Sequence, residues 1–217
     1  MSDLSFASLA ENHEPPLDEL ALALAREFRE VDWDAALRDL DTLGEELEPF
    51  AGGRPEEEAL ACGAVLGSVE GFAGNREHYD HPDNSMLDLV LERRTGLPIA
   101  LSVVYVAAAR RARIPLAGIG LPGHFVVGHF GASPPLLLDP FSGGRVVAGA
   151  APLDLVRPWS AHETALRMLN NLVASFSGRG EFREAIRAAA LRLQLPVPAQ
   201  ERNRLEVELH ALEARLN

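Results

Sequence analysis

In this chain of 217 residues the side chains able to move a proton or attack a carbonyl are few. His124 opens the apolar run His124-Phe125-Val126-Val127-Gly128-His129-Phe130, and Asp139 closes the run Pro135-Leu136-Leu137-Leu138-Asp139. Both runs read as strands, and the turn residues at 131–134 make them a hairpin. Any register with a turn near 131–133 then brings His124 within a residue or two of facing Asp139. A carboxylate beside an imidazole fixes its tautomer and raises its basicity, which is the orienting half of a triad. The same two residues also fit a buried polar pair with its hydrogen bonds satisfied, and the sequence leaves both readings open. Alternation sets His124, Val126 and Gly128 on one face and Phe125, Val127 and His129 on the other, so only one of the two histidines can face a buried helix.

Candidates for the attacking atom are scarce. The chain contains no lysine, which excludes a Walker phosphate loop, a Schiff base and a lysine general base. Its one cysteine, Cys62, could pair with His124, yet it sits inside Ala59-Leu60-Ala61-Cys62-Gly63-Ala64-Val65 with no cation or helix start to lower its pKa, and also reads as a small buried hydrophobe. Gly118-x-Gly120-x-x-Gly123 spells a dinucleotide fingerprint, but the residues after it read as a strand rather than a helix. His78, Asp80, His81 and Asp83 lie close together without zincin or calcium-loop spacing, so a polar loop accounts for them as well as a metal cluster does. Arg110, Arg111 and Arg113 close a helix, where they answer its dipole or, less simply, grip a phosphate.

The elements that must hold these residues are legible from periodicity. Three helical segments are expected at 17–31, 34–48 and 56–73, the first with a Leu20, Leu24, Phe28 stripe, as cover for a core elsewhere. Ser85-x-x-Asp88 resembles a capping box that starts a short helix, and Thr95-Gly96 stops it. Pro98 then suits the first turn of a helix reaching Arg111, and because 99–109 carries no charge this helix should be buried on every side. Strands at 116–121, 124–130 and 135–139 come next with short connections, hence antiparallel pairing. The expected fold class is α+β, a buried central helix on an antiparallel sheet. The expected divisions are a helical N-terminal lobe at 1–73, a core at 74–160 and a helical tail at 161–217. The tail stretch 165–196 resembles one tetratricopeptide unit through Leu172, Phe176, Gly180, Phe182, Ala185 and Pro196. Leu205, Leu209, Leu212 and Leu216 continue as a heptad-like stripe that could join two copies of the chain as a homo-oligomer.

Composition narrows the partners. Acidic residues number 32 against 20 arginines, a formal charge of −12. Residues 1–60 hold 17 of those acids and 4 of the arginines, so phosphate backbones are repelled and nucleic acid is not expected as a ligand. The longest uncharged apolar run, 99–109, falls short of the roughly 20 residues that cross a bilayer, and residues 1–16 lack the basic and apolar regions of a secretory signal. No membrane association, no metal and no cofactor are expected, and a lone cysteine fits the reducing cytoplasm.

Taken together, Gly96-Leu97-Pro98-Ile99, Arg113-Ile114-Pro115, Gly123-His124-Phe125 and Leu138-Asp139-Pro140 resemble the transglutaminase-like superfamily. Gly74-Asn75-Arg76, Asn84-Ser85, Leu91-Glu92-Arg93-Arg94, Leu121-Pro122-Gly123-His124-Phe125 and Asp139-Pro140-Phe141 look like its bacterial SirB-one branch, over about residues 20 to 197. The resemblance implies a papain-like core, a tetratricopeptide-like tail, and His124 and Asp139 as the family's histidine and aspartate. In catalytic members a cysteine at the start of the central helix lies 17 residues before the proline of an Ile-Pro pair, and here that position is Pro98. A proline surrenders a place where the helix field favours a thiolate. Asn84, Ser85 and Arg94 match positions flanking the helix and, with Pro98, would line the cleft. The resemblance thus implies a pseudoenzyme, a binding or regulatory module for a protein or peptide engaged by the cleft or the tail. The alternative is an amide or ester hydrolase with a displaced Ser102-His124-Asp139 triad, in which Ser102 sits one turn, roughly 5.4 Å, along the helix from Pro98. Ser102 also fits a small buried side chain bonded back to a carbonyl.

Overall fold

A computed structural model describes residues 4–147 and 155–216; residues 1–3, 148–154 and 217 lie outside the description. The chain opens with a short helix α1 (Phe6–Glu11), capped by the Ser5 side chain, which accepts from the Ser8 N–H. Helix α2 (Leu17–Arg26) departs from the expected apolar stripe, because Leu20 through Ala25 are all buried. Its alternating leucine and alanine let neighbours approach closely on every side, so α2 is part of the core and not a cover for it. Helix α3 (Trp33–Leu47) is amphipathic in the ordinary way, with Asp32 capping the Ala35 N–H and Ala36, Leu40, Leu43 and Leu47 buried.

The third expected helix is interrupted. Helix α4 (Pro55–Cys62) gives way to a π-helical segment, Gly63–Val69. The cause is close backbone contact: a Cβ on Gly63 would lie 2.3 Å from the Gly144 carbonyl oxygen, and one on Gly67 2.0 Å from that of Gly143. Strand β1 (Ala73–Gly74) pairs in parallel with β2 (Thr95–Gly96). Between them, helix α5 (Leu87–Arg93) has Met86 as its N-cap without a side-chain cap bond, so the Ser85–Asp88 capping box does not form. Pro82 instead starts a 3-10 turn, Pro82–Ser85, that ends the polar loop before the helix begins.

Helix α6 (Pro98–Arg111) runs as the uncharged stretch requires, with every residue from 98 to 109 except Val106 buried. It packs among α2, α3, α5 and the sheet. Its terminal Arg110 and Arg111 do more than answer the dipole. Arg110 holds both oxygens of buried Asp18 at 3.0 Å, and Arg111 reaches Asp18 at 2.7 Å and also pairs with Asp41 of α3. The charges that close α6 thereby pin it to the N-terminal helices.

Strands β3 (Leu116–Leu121), β4 (His124–His129), β5 (Leu136–Asp139) and β6 (Arg145–Val146) form an antiparallel sheet in that order, with Leu121 opposite His124 and Val127 opposite Leu138. Phe125, Val127 and Leu138 join the main core, while Ile119, Val126 and Leu137 form a smaller cluster on the other face. The glycines of Gly118-x-Gly120 serve this packing, since a Cβ on Gly120 would fall 2.0 Å from the Trp159 ring and one on Gly118 2.8 Å from Phe125. After Trp159, helices α7 (Ala161–Gly178) and α8 (Phe182–Arg192) form a hairpin turned at Gly180, φ 75°, and α9 (Ala199–Glu213) packs on α8. Met168, Leu169 and Leu172 of α7 enter the same core as α2 and α6. Leu205 and Leu212 are buried within the chain, so the heptad-like stripe is largely occupied intramolecularly, whereas Leu216 is exposed. The architecture is α+β, with helical regions at both ends of the chain. Among the described residues no helix is long and apolar enough to cross a membrane.

Candidate functional site

His124 begins β4 directly after the Pro122-Gly123 turn, where Gly123 has φ 71°. Asp139 ends β5, and Pro140 breaks the strand into a 3-10 turn, Pro140–Ser142. The hairpin sets His124 Nε2 3.1 Å from Asp139 Oδ1. The turn completes the carboxylate's shell: the Phe141 N–H donates to Oδ1 at 3.0 Å and the Ser142 hydroxyl to Oδ2 at 2.8 Å. A carboxylate held from both sides as an acceptor places the imidazole proton on Nε2 and leaves the lone pair on Nδ1. Among the described residues, Nδ1 has no hydrogen-bond partner. The His124 side chain is 35% exposed and that of Asp139 19%, so the basic nitrogen is neither sealed in the core nor free in solvent.

An aromatic wall supports the pair. The Phe141 ring meets His124 edge to face at 6.4 Å and Tyr79 at 5.7 Å, and the Arg76 guanidinium lies 5.0 Å above it. Phe141 fits there because Gly74 lacks a side chain, as a Cβ would sit 2.3 Å from the ring.

Pro98 occupies the first position of α6 and is buried. Ser102, one turn on, is 1% exposed and its hydroxyl donates to the Pro98 carbonyl at 2.8 Å. Cys62 is buried, and burial together with the Glu58 charge pushes its thiol up to about 12. Asn84 wires the preceding loop: its amide donates to the carbonyls of His78 at 2.6 Å and Tyr79 at 3.1 Å and accepts from Asn75 at 3.1 Å. Ser85 lines a cleft of about 440 Å³ together with Tyr79, Leu97, Asn171, Ser175 and Arg179. Arg94 adopts a left-handed conformation, φ 58°, after α5, pairs with Glu70 at 3.2 Å and covers the Phe72 ring at 4.6 Å. Thus His124 and Asp139 are brought together, Pro98 and Ser85 stand at the amino end of α6, and Arg94 is engaged in an ion pair of its own. In the polar loop, His81 Nδ1 accepts from the Asp83 N–H at 3.3 Å, and Asp83 pairs with Arg93 at 2.8 Å. Among the described residues no three His, Cys, Asp or Glu side chains are placed to hold a metal.

Two features escape a reading of the residues in order. His129, on the core face of β4, bonds Glu58 of α4 at 2.6 Å with both side chains buried. The Gly131 N–H donates to its Nδ1 at 3.2 Å, so Nε2 carries the proton and the ring is a neutral donor to Glu58. The strand pattern already puts an imidazole on the buried face, which demands a partner, but no local signal names Glu58. Tyr105 of α6 is the second. Its hydroxyl is buried without a hydrogen-bond partner among the described residues, and burial first, then Cys62 and Asp139, raises it above the ordinary phenol range.

The chain's likeness to known proteins agrees with this geometry. Residues 34–175 match the family described as the Transglutaminase-like superfamily. A UPF0162 protein of Xylella fastidiosa (strain 9a5c) is 34% identical over 209 residues, covering 85% of this chain and 73% of the relative. UPF0162 protein PA3419 of Pseudomonas aeruginosa is 37% identical over 136 residues, 61% of this chain and 50% of that protein. F-box only protein 21 of Mus musculus shares 41% identity over 56 residues, 26% of this chain and 9% of its own length. No solved structure matches. With a histidine and an aspartate paired across neighbouring strands, and with this sequence kinship over most of its length, the chain belongs to the transglutaminase-like superfamily and, within it, to the UPF0162 family.

Proposed function

We propose that this protein is a transglutaminase-like domain of the SirB-one type without its cysteine nucleophile, a binding or regulatory module that engages a protein or peptide through the cleft or the helical tail, with the chain divided into a helical lobe at 1–73, a core at 74–160 and a tail at 161–217. The observation that carries this reading is Pro98. A pyrrolidine ring at the first turn of α6 offers no thiol or hydroxyl to the lone pair on His124 Nδ1. The hydroxyl one turn along, Ser102, donates to the Pro98 carbonyl, and so supports the reading of a satisfied core serine. His124 and Asp139 then act as a fixed polar pair on the sheet, beside the Phe141 ring.

Purified protein is expected to show no hydrolysis of p-nitrophenyl acetate or of peptide amides above buffer, and no covalent labelling by a fluorophosphonate. Turnover lost on His124→Ala, or labelling lost on Ser102→Ala, overturns the proposal in favour of a hydrolase. The reverse experiment restores the missing group. In a Cys62→Ala background, Pro98→Cys should gain a thiol that iodoacetamide alkylates near neutral pH faster than a free thiol with pKa about 8.5, and His124→Ala should slow it.

A further inference from the structure

A buried acid–base pair survives only when its polar atoms find partners, and the pair of His129 and Glu58 is closed at both ends by backbone from surface loops. His129 Nε2 lies 2.6 Å from Glu58 Oε2, with side chains 1% and 7% exposed. The Gly52 N–H donates to Glu58 Oε1 at 2.7 Å, and the Gly131 N–H donates to His129 Nδ1 at 3.2 Å. Gly52 belongs to the loop before α4 and Gly131 to the tip of the β4–β5 hairpin, and both are exposed. The tip is seated on the ring itself, since a Cβ on Gly131 would fall 2.8 Å from His129 Cε1.

The chemistry of imidazole makes the last of these contacts exclusive. Nδ1 has one lone pair, so it either accepts from Gly131 or carries a proton. A proton added to the pair has three places to go. On Nδ1 it gives an imidazolium facing the carboxylate, a charge pair that burial strengthens. If the Nε2 proton then passes to Glu58, the ring is neutral but still protonated on Nδ1. On Glu58 alone it gives an acid O–H where both groups bonded to the carboxylate are donors, which leaves that O–H unpaired. The first two arrangements turn an N–H toward the Gly131 N–H, and the ion pair favours the first. The surrounding elements offer the proton little else. Leu116 and Leu136 stand opposite His129 on the neighbouring strands, and Cys62, one turn from Glu58, keeps its proton up to about 12. On α6, Arg110 and Arg111 are held by Asp18 and Asp41; at the start of α4, Arg54 pairs with Glu57. Glu48 and Arg113 line a cleft beside Gly52.

We propose that His129 is a proton-operated latch on the tip of the β4–β5 hairpin. Protonation of Nδ1 takes the lone pair that holds the Gly131 N–H, residues 131–134 leave the ring, and Glu58 retains the imidazolium through Nε2. Solvent admitted by the departing tip accepts from the new Nδ1–H. By linkage the reverse also holds, and whatever draws the tip away raises the ring's affinity for a proton. A partner that grips the open tip therefore binds more tightly in acid. The latch sits at the opposite end of β4 from His124, and it neither needs nor excludes a nucleophile at Pro98.

The test is ¹⁵N NMR of the whole chain from about pH 8 to about pH 4, a span that covers the ordinary histidine and glutamate ranges. Ring nitrogen shifts report the proton on His129 Nδ1. Amide hydrogen exchange at Gly131, Ala132 and Ser133, corrected for the intrinsic rate and compared with Val127 inside the strand, reports the tip. Nδ1 should gain its proton at the same midpoint at which the Gly131 amide proton moves upfield and the tip loses about tenfold in protection, the effect of one lost hydrogen bond. Val127 should stay protected. His129→Asn supplies an acceptor at the δ position that does not titrate, and should keep the tip closed at every pH. Because that variant leaves Glu58 short of a donor and can fail to fold, Glu58→Gln is the second arm. It removes the charge that steadies the imidazolium and should move the midpoint to lower pH. An Nδ1 that stays unprotonated until the whole chain unfolds overturns the proposal. So do a tip that loosens at a different midpoint, a protonated ring with an unmoved Gly131 amide, and a midpoint indifferent to Glu58→Gln.

Discussion

A thiol becomes a nucleophile when a cation or a helix start stabilises its anion, and Cys62 instead has burial and the negative Glu58, which push it up to about 12. The folded protein keeps this proton while the unfolded chain releases it above its ordinary value of 9.0. The native state then binds more protons than the unfolded one in the window between 9 and about 12, so stability falls as pH rises through it. At pH 10 the wild type should lose roughly 1 kcal/mol more, relative to pH 8, than Cys62→Ala does, measured by urea denaturation at both pH values. His129 and Glu58 make a second residue-scale prediction with an asymmetry. Removing Glu58 leaves the His129 N–H unpaired and returns to solvent the exposed Gly52 N–H, which donates to Glu58 Oε1 at 2.7 Å, a cost of roughly 1–3 kcal/mol, whereas removing His129 leaves a buried carboxylate with the Gly52 N–H as its remaining donor, a cost of roughly 3–5 kcal/mol. Denaturation midpoints of Glu58→Leu and His129→Leu check the order, and equal losses would contradict the neutral-donor assignment. The hairpin pairing of His124 and Asp139 is legible from two short strands and a turn. The partner of His129 is not, because Glu58 lies 71 residues away on a helix whose docking no local pattern specifies.

Among the elements, α6 is legible from end to end: a proline at its start, arginines at its end and no charge between. The start of α5 is not, because Ser85 and Asp88 fit a capping box equally well whether or not the tertiary contacts permit one. Helix α2 differs from its expected form for a related reason. Its leucine spacing describes one face, but alanine on the remaining faces allows close packing that a hydropathy stripe does not register. Leu22→Ala in α2 should therefore cost roughly 2–5 kcal/mol, as for a core leucine, while Leu60→Ala in α4, 58% exposed, should stay within roughly 0.5 kcal/mol; chemical denaturation separates them. The π-helical segment gives a further prediction. Gly67→Ala drives a methyl into the Gly143 carbonyl and should destabilise by roughly 1–3 kcal/mol, read by thermal unfolding, with a smaller effect at Gly53, whose nearest neighbour lies at 3.3 Å.

At the scale of the molecule, α2, α6 and α7 share one core, which ties the N-terminal helices, the sheet and the tail hairpin into a single packing unit. Full-length protein should accordingly unfold in one calorimetric transition with matching van't Hoff and calorimetric enthalpies, and two resolved transitions would show the regions to be energetically separate. Truncation after Pro198 uncovers the groups that α9 shields, Arg192 among them through its pair with Glu208 at 2.9 Å, and should lower the melting temperature. Uncharged length, alternation and turn chemistry are local quantities, and by themselves they determined the buried central helix, the antiparallel strands, the meeting of His124 with Asp139 and the inert residue at the helix start. Only the tertiary structure decided that His129 lies against Glu58, that Tyr105 is sealed beside the 143–144 backbone, and that Ser85 and α7 enclose a cleft at the amino end of α6. Each of those joins segments distant in sequence, and their approach depends on how whole elements pack rather than on the period of any one of them.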